Sequence, residues 1–96
     1  MGWATAYIER LRAGETVRFR PRGHSMQGRI RSGQLCTVGE QRLKKGDIVL
    51  CEVGRAQYLH LIGAVQGSRY QIRNNHGRIN GWIHRSRIHG KLVAVE

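Results

Sequence analysis

The chain has 96 residues, and its 17 lysines and arginines outnumber its six acidic residues, which gives a formal net charge of +11. This length predicts one domain over residues 1–96, because chains divide only well above about 200 residues. A hydrophobic content of 40% excludes disorder by composition. No apolar run approaches the ~18 residues of a membrane span, and no signal peptide is recognisable. We therefore expect a soluble, basic, cytoplasmic domain, and no transmembrane protein, secreted disulfide scaffold or collagen-like fibre.

The two cysteines, Cys36 and Cys51, lie in separate apolar segments and form no Cys-x-x-Cys pair. Two thiols are too few for a structural zinc site unless histidine joins them. The five histidines include no pair at a metal-binding spacing with an acidic ligand. We therefore expect no metal and no cofactor, and we predict buried, reduced thiols, as in a reducing cytoplasm.

Residues 1–14 are predicted to form a short amphipathic helix and its cap. Gly14 follows the apolar pattern as the expected C-cap. The apolar residues at helical spacing are Trp3, Tyr7, Ile8 and Leu11.

The remaining residues, 15–96, have the pattern of short strands separated by turns. Thr16–Arg20 alternates apolar and polar residues, which predicts a strand with one wet face, and Pro21 ends it. Short strands at this spacing with glycine-bearing turns predict a mainly β fold, a small antiparallel barrel or sandwich, with one short N-terminal helix. Further candidate strands cover residues 34–38, 48–53, 56–65, 70–72, 79–83 and 88–95.

A segment between the first two predicted strands interrupts this pattern and contains a serine close to a glycine. In Gly23-His24-Ser25-Met26 the serine follows a strand end, where a turn can expose its hydroxyl and its backbone N–H. An acyl-transfer nucleophile with an oxyanion-hole donor needs this arrangement. The motif is short, and an ordinary turn or capping serine is the alternative interpretation.

Three motifs in order along the chain carry a resemblance to a known family. Gly23–Met26 is followed by the Gly-Asp segment Gly46–Val49 and, at the end, by Ile88–Val93. In this order and spacing the chain resembles the catalytic domain of the LexA-like and signal-peptidase-like serine peptidases. The resemblance covers about Val17–Val95.

The resemblance implies a pseudo-barrel of short antiparallel strands that cleaves a peptide or protein substrate. Ser25 would be the nucleophile, with its backbone N–H in the oxyanion hole and with Gly23 and Met26 supporting it. We expect a free-standing version, because neither a transmembrane segment nor a helix-turn-helix domain is recognisable. LexA-like members also cut themselves at a small-residue–glycine bond, for which Ala13-Gly14 is a candidate. Only eleven positions separate Gly14 from Ser25, so a helix cap is the preferred interpretation.

The general base departs from the usual pattern of this family. Its members usually pair the serine with a lysine on the strand after the Gly-Asp segment, but residues 57–62 contain no lysine and place His60 there. Archaeal and endoplasmic-reticulum signal peptidases carry a histidine at this place, so the resemblance implies a Ser25–His60 dyad. A neutral imidazole can accept the serine proton near physiological pH, and apolar neighbours favour the neutral form. The alternative is a half-buried strand histidine with a satisfied hydrogen bond.

A third group that would orient the imidazole is not evident in the sequence. The histidine-type signal peptidases use an aspartate, whereas the corresponding residues 71–76 contain no acid. Asn74 or Asn75 could orient His60, while Arg73 nearby would disfavour its protonated form. We therefore expect hydrolysis that is slow or that depends on a partner.

The positive charge supports a second interpretation, a catalytically inactive module that binds nucleic acid or an acidic protein. Arg18, Arg20 and Arg22 alternate, which predicts three guanidinium groups on one strand face. Guanidinium groups suit phosphates, and the rings of Tyr58, Tyr70 and Trp82 could stack on bases if they are exposed. Two other possibilities are a free strand edge that pairs with another chain and a merely solvated basic surface. The candidate nucleic-acid-binding residues are Arg18, Arg20, Arg22, Arg29, Arg31, Lys44 and Lys45.

Overall fold

A computed structural model describes residues 2–39 and 42–96, in which one helix precedes seven strands. The predicted mainly β fold with one short N-terminal helix is confirmed. No helix in this part of the chain is long and apolar enough to span a membrane. The elements are α1 Thr5–Arg12, β1 Val17–Phe19, β2 Cys36–Val38, β3 Ile48–Val53, β4 Ala56–Gln66, β5 Arg69–Arg73, β6 Ile79–His84, a 3-10 turn Arg85–Arg87 and β7 Ile88–Val95.

The seven strands of the described residues form one antiparallel sheet in the order β1-β2-β7-β3-β4-β5-β6. Strands β3 to β6 are neighbours in chain order, whereas β7 lies between β2 and β3. Strands β3 and β6 pack against each other although β4 and β5 lie between them in the sheet. This part of the sheet is therefore strongly curled, and the curl brings side chains of different strands into one neighbourhood.

Apolar side chains are buried on both faces of the sheet, and β3 contributes to both. Leu50 packs in a cluster with buried residues of α1, β1 and β2, whereas Val49 packs in a second cluster with residues of β4, β5 and β6. Successive side chains of a strand point to opposite faces. Because both faces are covered, Ile48–Cys51 is a continuous apolar run and not an alternating one.

The start of helix α1 is attached to β4 through Gln57. The Gln57 side chain accepts a hydrogen bond from the backbone N–H of Ala4 at 2.7 Å and donates one to Thr5 Oγ1 at 3.0 Å. The indole N–H of Trp3 donates to the backbone carbonyl of Gln57 at 3.0 Å. These three bonds fix the position of the helix relative to the strand that carries His60.

The end of helix α1 is formed by Gly14, as predicted. The N–H of Gly14 donates to the carbonyl of Leu11, and the N–H of Glu15 donates to the carbonyl of Arg10, both at 3.0 Å. This pair of bonds is a Schellman motif, which requires a left-handed residue at its centre. Gly14 has a φ of +87°, which glycine adopts without a steric penalty.

Both cysteines are buried and free, as predicted. Burial raises the pKa of both thiols, and for Cys51 burial together with the neighbouring Glu52 raises it to about 12. Because the thiolate is the reactive form, these thiols are poor nucleophiles at neutral pH.

We expect Gly90 on β7 to tolerate no side chain. A β-carbon there would lie 3.0 Å from Val38 Cγ1 and 3.2 Å from Leu11 Cδ2. Since overpacking a core costs about 1–3 kcal/mol, Gly90→Ala should lower the free energy of unfolding by that amount in urea denaturation. Val93→Ala on the same strand truncates a side chain that is 50% exposed and should change it by less than about 0.5 kcal/mol. If Gly90→Ala and Val93→Ala changed the free energy of unfolding equally, the close packing of α1, β2 and β7 would be contradicted.

Candidate functional site

Ser25 lies on the loop between β1 and β2, and hydrogen bonds join the two arms of this loop. The guanidinium of Arg20 donates to the carbonyl of Gly33 at 2.9 Å. The N–H of Gly33 donates in turn to the carbonyl of Pro21 at 2.8 Å. The loop is therefore closed at its base, and Ser25 lies within the closed part.

The residues next to Ser25 are fixed to the core and to a second loop. Met26 is 5% exposed and packs in the cluster with α1, β1 and β2. The backbone N–H of Asn75 donates to the carbonyl of Ser25 at 2.9 Å, and the Asn75 side chain donates to the carbonyl of Gln27 at 2.8 Å. The backbone of the serine is thus held while its side chain stays exposed.

His60 on β4 lies beside Ser25, with 3.0 Å between His60 Nε2 and Ser25 Oγ. His60 is 5% exposed. The ring of Tyr58 stacks on the imidazole with the two centroids 4.5 Å apart. Burial and stacking fix the orientation of the imidazole relative to the exposed serine.

The other ring nitrogen of His60 is held by Asn80, with 2.8 Å between His60 Nδ1 and Asn80 Oδ1. An amide oxygen can only accept a hydrogen bond, so Nδ1 carries the hydrogen and Nε2 has a free lone pair. In this tautomer His60 accepts the hydrogen bond of the Ser25 hydroxyl. It is the tautomer that a general base needs.

A β-bulge brings Asn80 to His60. Ile72 of β5 pairs with Gly81, and the next residue, Arg73, pairs with Ile79, so Asn80 is the extra residue of β6. Bulges redirect side chains out of the regular alternation of a strand. Gly81 beside it has a φ of +152°, a conformation that L residues rarely adopt.

Burial lowers the pKa of His60 below its ordinary value, and the hydrogen bond with Asn80 acts in the opposite direction. Because a buried ring is harder to protonate than a solvated one, the imidazole is neutral at pH 7 and can act as a base. Asn80 carries no charge, so it stabilises a protonated His60 less than a carboxylate would.

Backbone N–H groups beside the Ser25 hydroxyl are unoccupied. Within residues 2–39 and 42–96, the N–H groups of Ser25 and Met26 donate to no acceptor. Gly23, two residues earlier, has a φ of +116° and open space where a β-carbon would stand. The N–H of Ser25 is therefore available to an oxyanion that forms next to its hydroxyl.

A pocket of about 400 Å³ opens beside Ser25 and His60. One part of its lining is aromatic, and another part consists of guanidinium groups. The aromatic residues are Trp3, Tyr7, Phe19 and Tyr58, and the arginines are Arg20, Arg22 and Arg31.

Asn74 and Asn75, the residues expected to orient His60, support the site in another way. Asn74 Oδ1 accepts hydrogen bonds from the backbone N–H groups of His76 and Arg78 and so shapes its own turn. Asn75 holds the backbone around Ser25. The expectation that one of them contacts the imidazole is corrected, because the bulge in β6 places Asn80 there instead. The sequence held one signal for this contact, which is the polar residue Asn80 between Ile79 and Gly81 in a predicted strand.

Three arginines near β1 do not share one strand face, contrary to the expectation. Strand β1 ends before Arg20 because Pro21 has no N–H for a ladder hydrogen bond. Only Arg18 lies on the strand, where it forms an exposed ion pair with Glu96 at 3.0 Å. Arg20 and Arg22 instead line the pocket. Of the other candidate residues, Arg31 lines the pocket as well, and those exposed outside its lining are Arg29, Lys44 and Lys45.

The rings of His76, His84 and His89 have partners away from the Ser25 hydroxyl. The ring of His76 donates to the backbone carbonyl of His24 at 2.9 Å, a further link between the two loops. His89 is buried, with its Nε2 2.8 Å from a carboxylate oxygen of Glu52. No group of three His, Cys, Asp or Glu side chains that could hold a metal ion occurs in the described part of the chain.

The chain matches no protein-family model, and no curated protein matches it significantly. The geometry of Ser25, His60 and Asn80 therefore carries the functional argument.

The titration of His60 is measurable by NMR of the imidazole nitrogens. We expect the Nδ1–H tautomer at pH 7 and a pKa below the ordinary value of about 6.5. Asn80→Ala removes a hydrogen bond that raises this pKa and should lower it further, whereas Asn80→Asp adds a negative charge and should raise it. Asn74→Ala is the control, since Asn74 bonds only to its own turn. If the pKa of His60 were the same in the Asn80 variants and in wild type, the His60–Asn80 contact would be contradicted.

Proposed function

We propose that the protein is a serine hydrolase that cleaves a peptide bond, with Ser25 as the nucleophile and His60 as the general base. The observation that carries this proposal is the 3.0 Å contact between Ser25 Oγ and His60 Nε2, in a ring whose Nδ1 is held by Asn80. Nucleophile, base and orienting group, hydrogen-bonded in that order, are the geometric requirement for catalysis by serine. An ordinary turn serine would require no buried histidine with a fixed tautomer.

In this mechanism His60 Nε2 removes the hydroxyl proton while Ser25 Oγ attacks the carbonyl carbon of the scissile bond. The N–H of Ser25 donates to the oxyanion of the tetrahedral intermediate. His60 then gives the proton to the leaving amine, the C–N bond breaks, and the acyl group stays on the serine. Water, deprotonated by His60, attacks the acyl-enzyme and releases a carboxylic acid and free Ser25.

Asn80 supports this mechanism less strongly than an aspartate would. The amide fixes the tautomer but offers no negative charge to the imidazolium that forms during attack. Burial of His60 adds to the cost of this step, because it disfavours the protonated ring. We therefore propose a slow enzyme, or an enzyme that a partner stimulates.

Two features support a peptide as the substrate. The first is the resemblance to the LexA-like and signal-peptidase-like serine peptidases in the order of the motifs around Ser25. The second is the place of β1 at one edge of the described sheet, with Phe19 of that strand lining the pocket. An extended peptide can add to a free strand edge through backbone hydrogen bonds while its side chains enter the pocket.

Labelling with a serine-reactive fluorophosphonate, measured by intact mass, tests the dyad. We expect one adduct on wild type, none on Ser25→Ala, and a rate at least about 100-fold lower for His60→Ala, since a general base contributes about that much. The rate should be constant at neutral and higher pH and should fall only in acid, because the pKa of His60 lies below its ordinary value.

Ser68→Ala is the matched control, because Ser68 is exposed and lies outside the pocket lining. It should be labelled at the wild-type rate. An adduct that persists in Ser25→Ala, or a rate that His60→Ala leaves unchanged, would rule out the proposed dyad.

A further inference from the structure

The pocket beside Ser25 combines guanidinium groups with an apolar wall, and this combination defines a substrate class. Resting on the proposed function, we propose that the protein selects peptides that carry an acidic side chain and an apolar side chain near the scissile bond. The guanidinium groups bind the acidic side chain, and the aromatic wall accepts the apolar one.

The arginines that line the pocket have no acidic residue beside them in its described lining. None of the lining residues in the described part of the chain is acidic. The side chains of Arg22 and Arg31 are exposed and make no hydrogen bond or ion pair with another described residue. Arg20 uses one N–H for the carbonyl of Gly33, which fixes its guanidinium and leaves other donors for a ligand. Guanidinium donors match the geometry of a carboxylate.

In residues 2–39 and 42–96, the acidic residues that form ion pairs lie outside the pocket lining, and the pocket arginines form no ion pair with them. An anionic ligand is the group that would neutralise them. The pairs are Arg10 with Glu15, Arg18 with Glu96 and Lys91 with Asp47.

The aromatic part of the lining offers apolar surface for a neighbouring side chain. The rings of Tyr7 and Phe19 are stacked with their centroids 4.6 Å apart, and Trp3 lies against Phe19 at 5.5 Å. Trp3 is 50% exposed and its N–H is already bonded to Gln57, so its free surface is apolar. Burial of a substrate side chain on this surface is favourable.

These rings suit a peptide better than a nucleic acid. Base stacking requires free ring faces, whereas Phe19 is 6% exposed and Tyr7 is stacked on it, so these two rings offer a base little free face. Tyr70, which could have offered a ring from the sequence, is 7% exposed. Trp82 is 39% exposed but lies on β6, outside the lining of this pocket.

The test compares two phosphonate probes that react with the serine, acetyl-Glu-Leu-Ala and acetyl-Gln-Leu-Ala diphenyl phosphonate, which differ only in one charge. We expect the glutamate probe to react about twofold to fivefold faster at low salt, a ratio in keeping with exposed ion pairs. About 0.5 M NaCl should reduce this ratio towards one, because salt screens exposed charges.

Two double variants separate the pocket arginines from the overall charge. Arg22→Gln with Arg31→Gln should bring the glutamate-to-glutamine ratio close to one. Arg55→Gln with Arg69→Gln also removes two positive charges, but from exposed residues outside the pocket lining. This double variant should keep the wild-type ratio. An equal loss in both double variants would assign the preference to net charge and overturn the proposed site.

Failure of this inference and failure of the proposed function give different results. A peptide-free fluorophosphonate that labels Ser25, together with equal rates for the two peptide probes, would overturn the acidic preference alone. Absence of all labelling would overturn the proposed function, and anisotropy of fluorescein-labelled Glu-Leu-Ala and Gln-Leu-Ala on Ser25→Ala would still test the preference.

Binding of single-stranded oligothymidine that is lost in Arg22→Gln with Arg31→Gln, with no glutamate preference, would assign the arginines to nucleic acid instead.

Discussion

The site depends on a single buried imidazole, His60, which is hydrogen-bonded at both of its nitrogens. Its partners Ser25 and Asn80 are 35 and 20 positions away in the chain. The curl of the sheet and the bulge in β6 bring all three together. Burial keeps the ring neutral, and Asn80 sets its tautomer, so the imidazole already has the form that the proposed general base requires. Groups that are already oriented need not be ordered during the reaction.

The serine itself is exposed, yet the chain around it is held at several points. The loop between β1 and β2 is closed at its base by Arg20, Gly33 and Pro21, and Met26 anchors it in the core. The turn containing Asn75 holds it from the other side. Core packing and the site are therefore coupled, because the methionine that anchors the loop adjoins Ser25.

The positive charge of the chain is not neutralised evenly by its acidic residues. Ion pairs join acidic residues to basic ones outside the pocket lining, whereas the described lining around the arginines beside Ser25 contains no acidic residue. The net charge of +11 thus has a local consequence as well as an effect on solubility. A positive potential beside Ser25 and His60 favours negatively charged ligands, and in the proposed reaction it would also favour the oxyanion.

The sequence by itself determined the mainly β class, the bounds of β3 and β7, the helix end at Gly14 and the candidacy of Ser25 and His60. These features follow from side-chain periodicity, turn chemistry and short motifs, all of which are local. Only the tertiary structure decided that Asn80 orients His60 and that the arginines after β1 line the pocket. The first depends on a register shift between β5 and β6, and the second on where β1 ends and how its loop folds back. Register and loop closure are set by packing between distant segments, which no local pattern specifies.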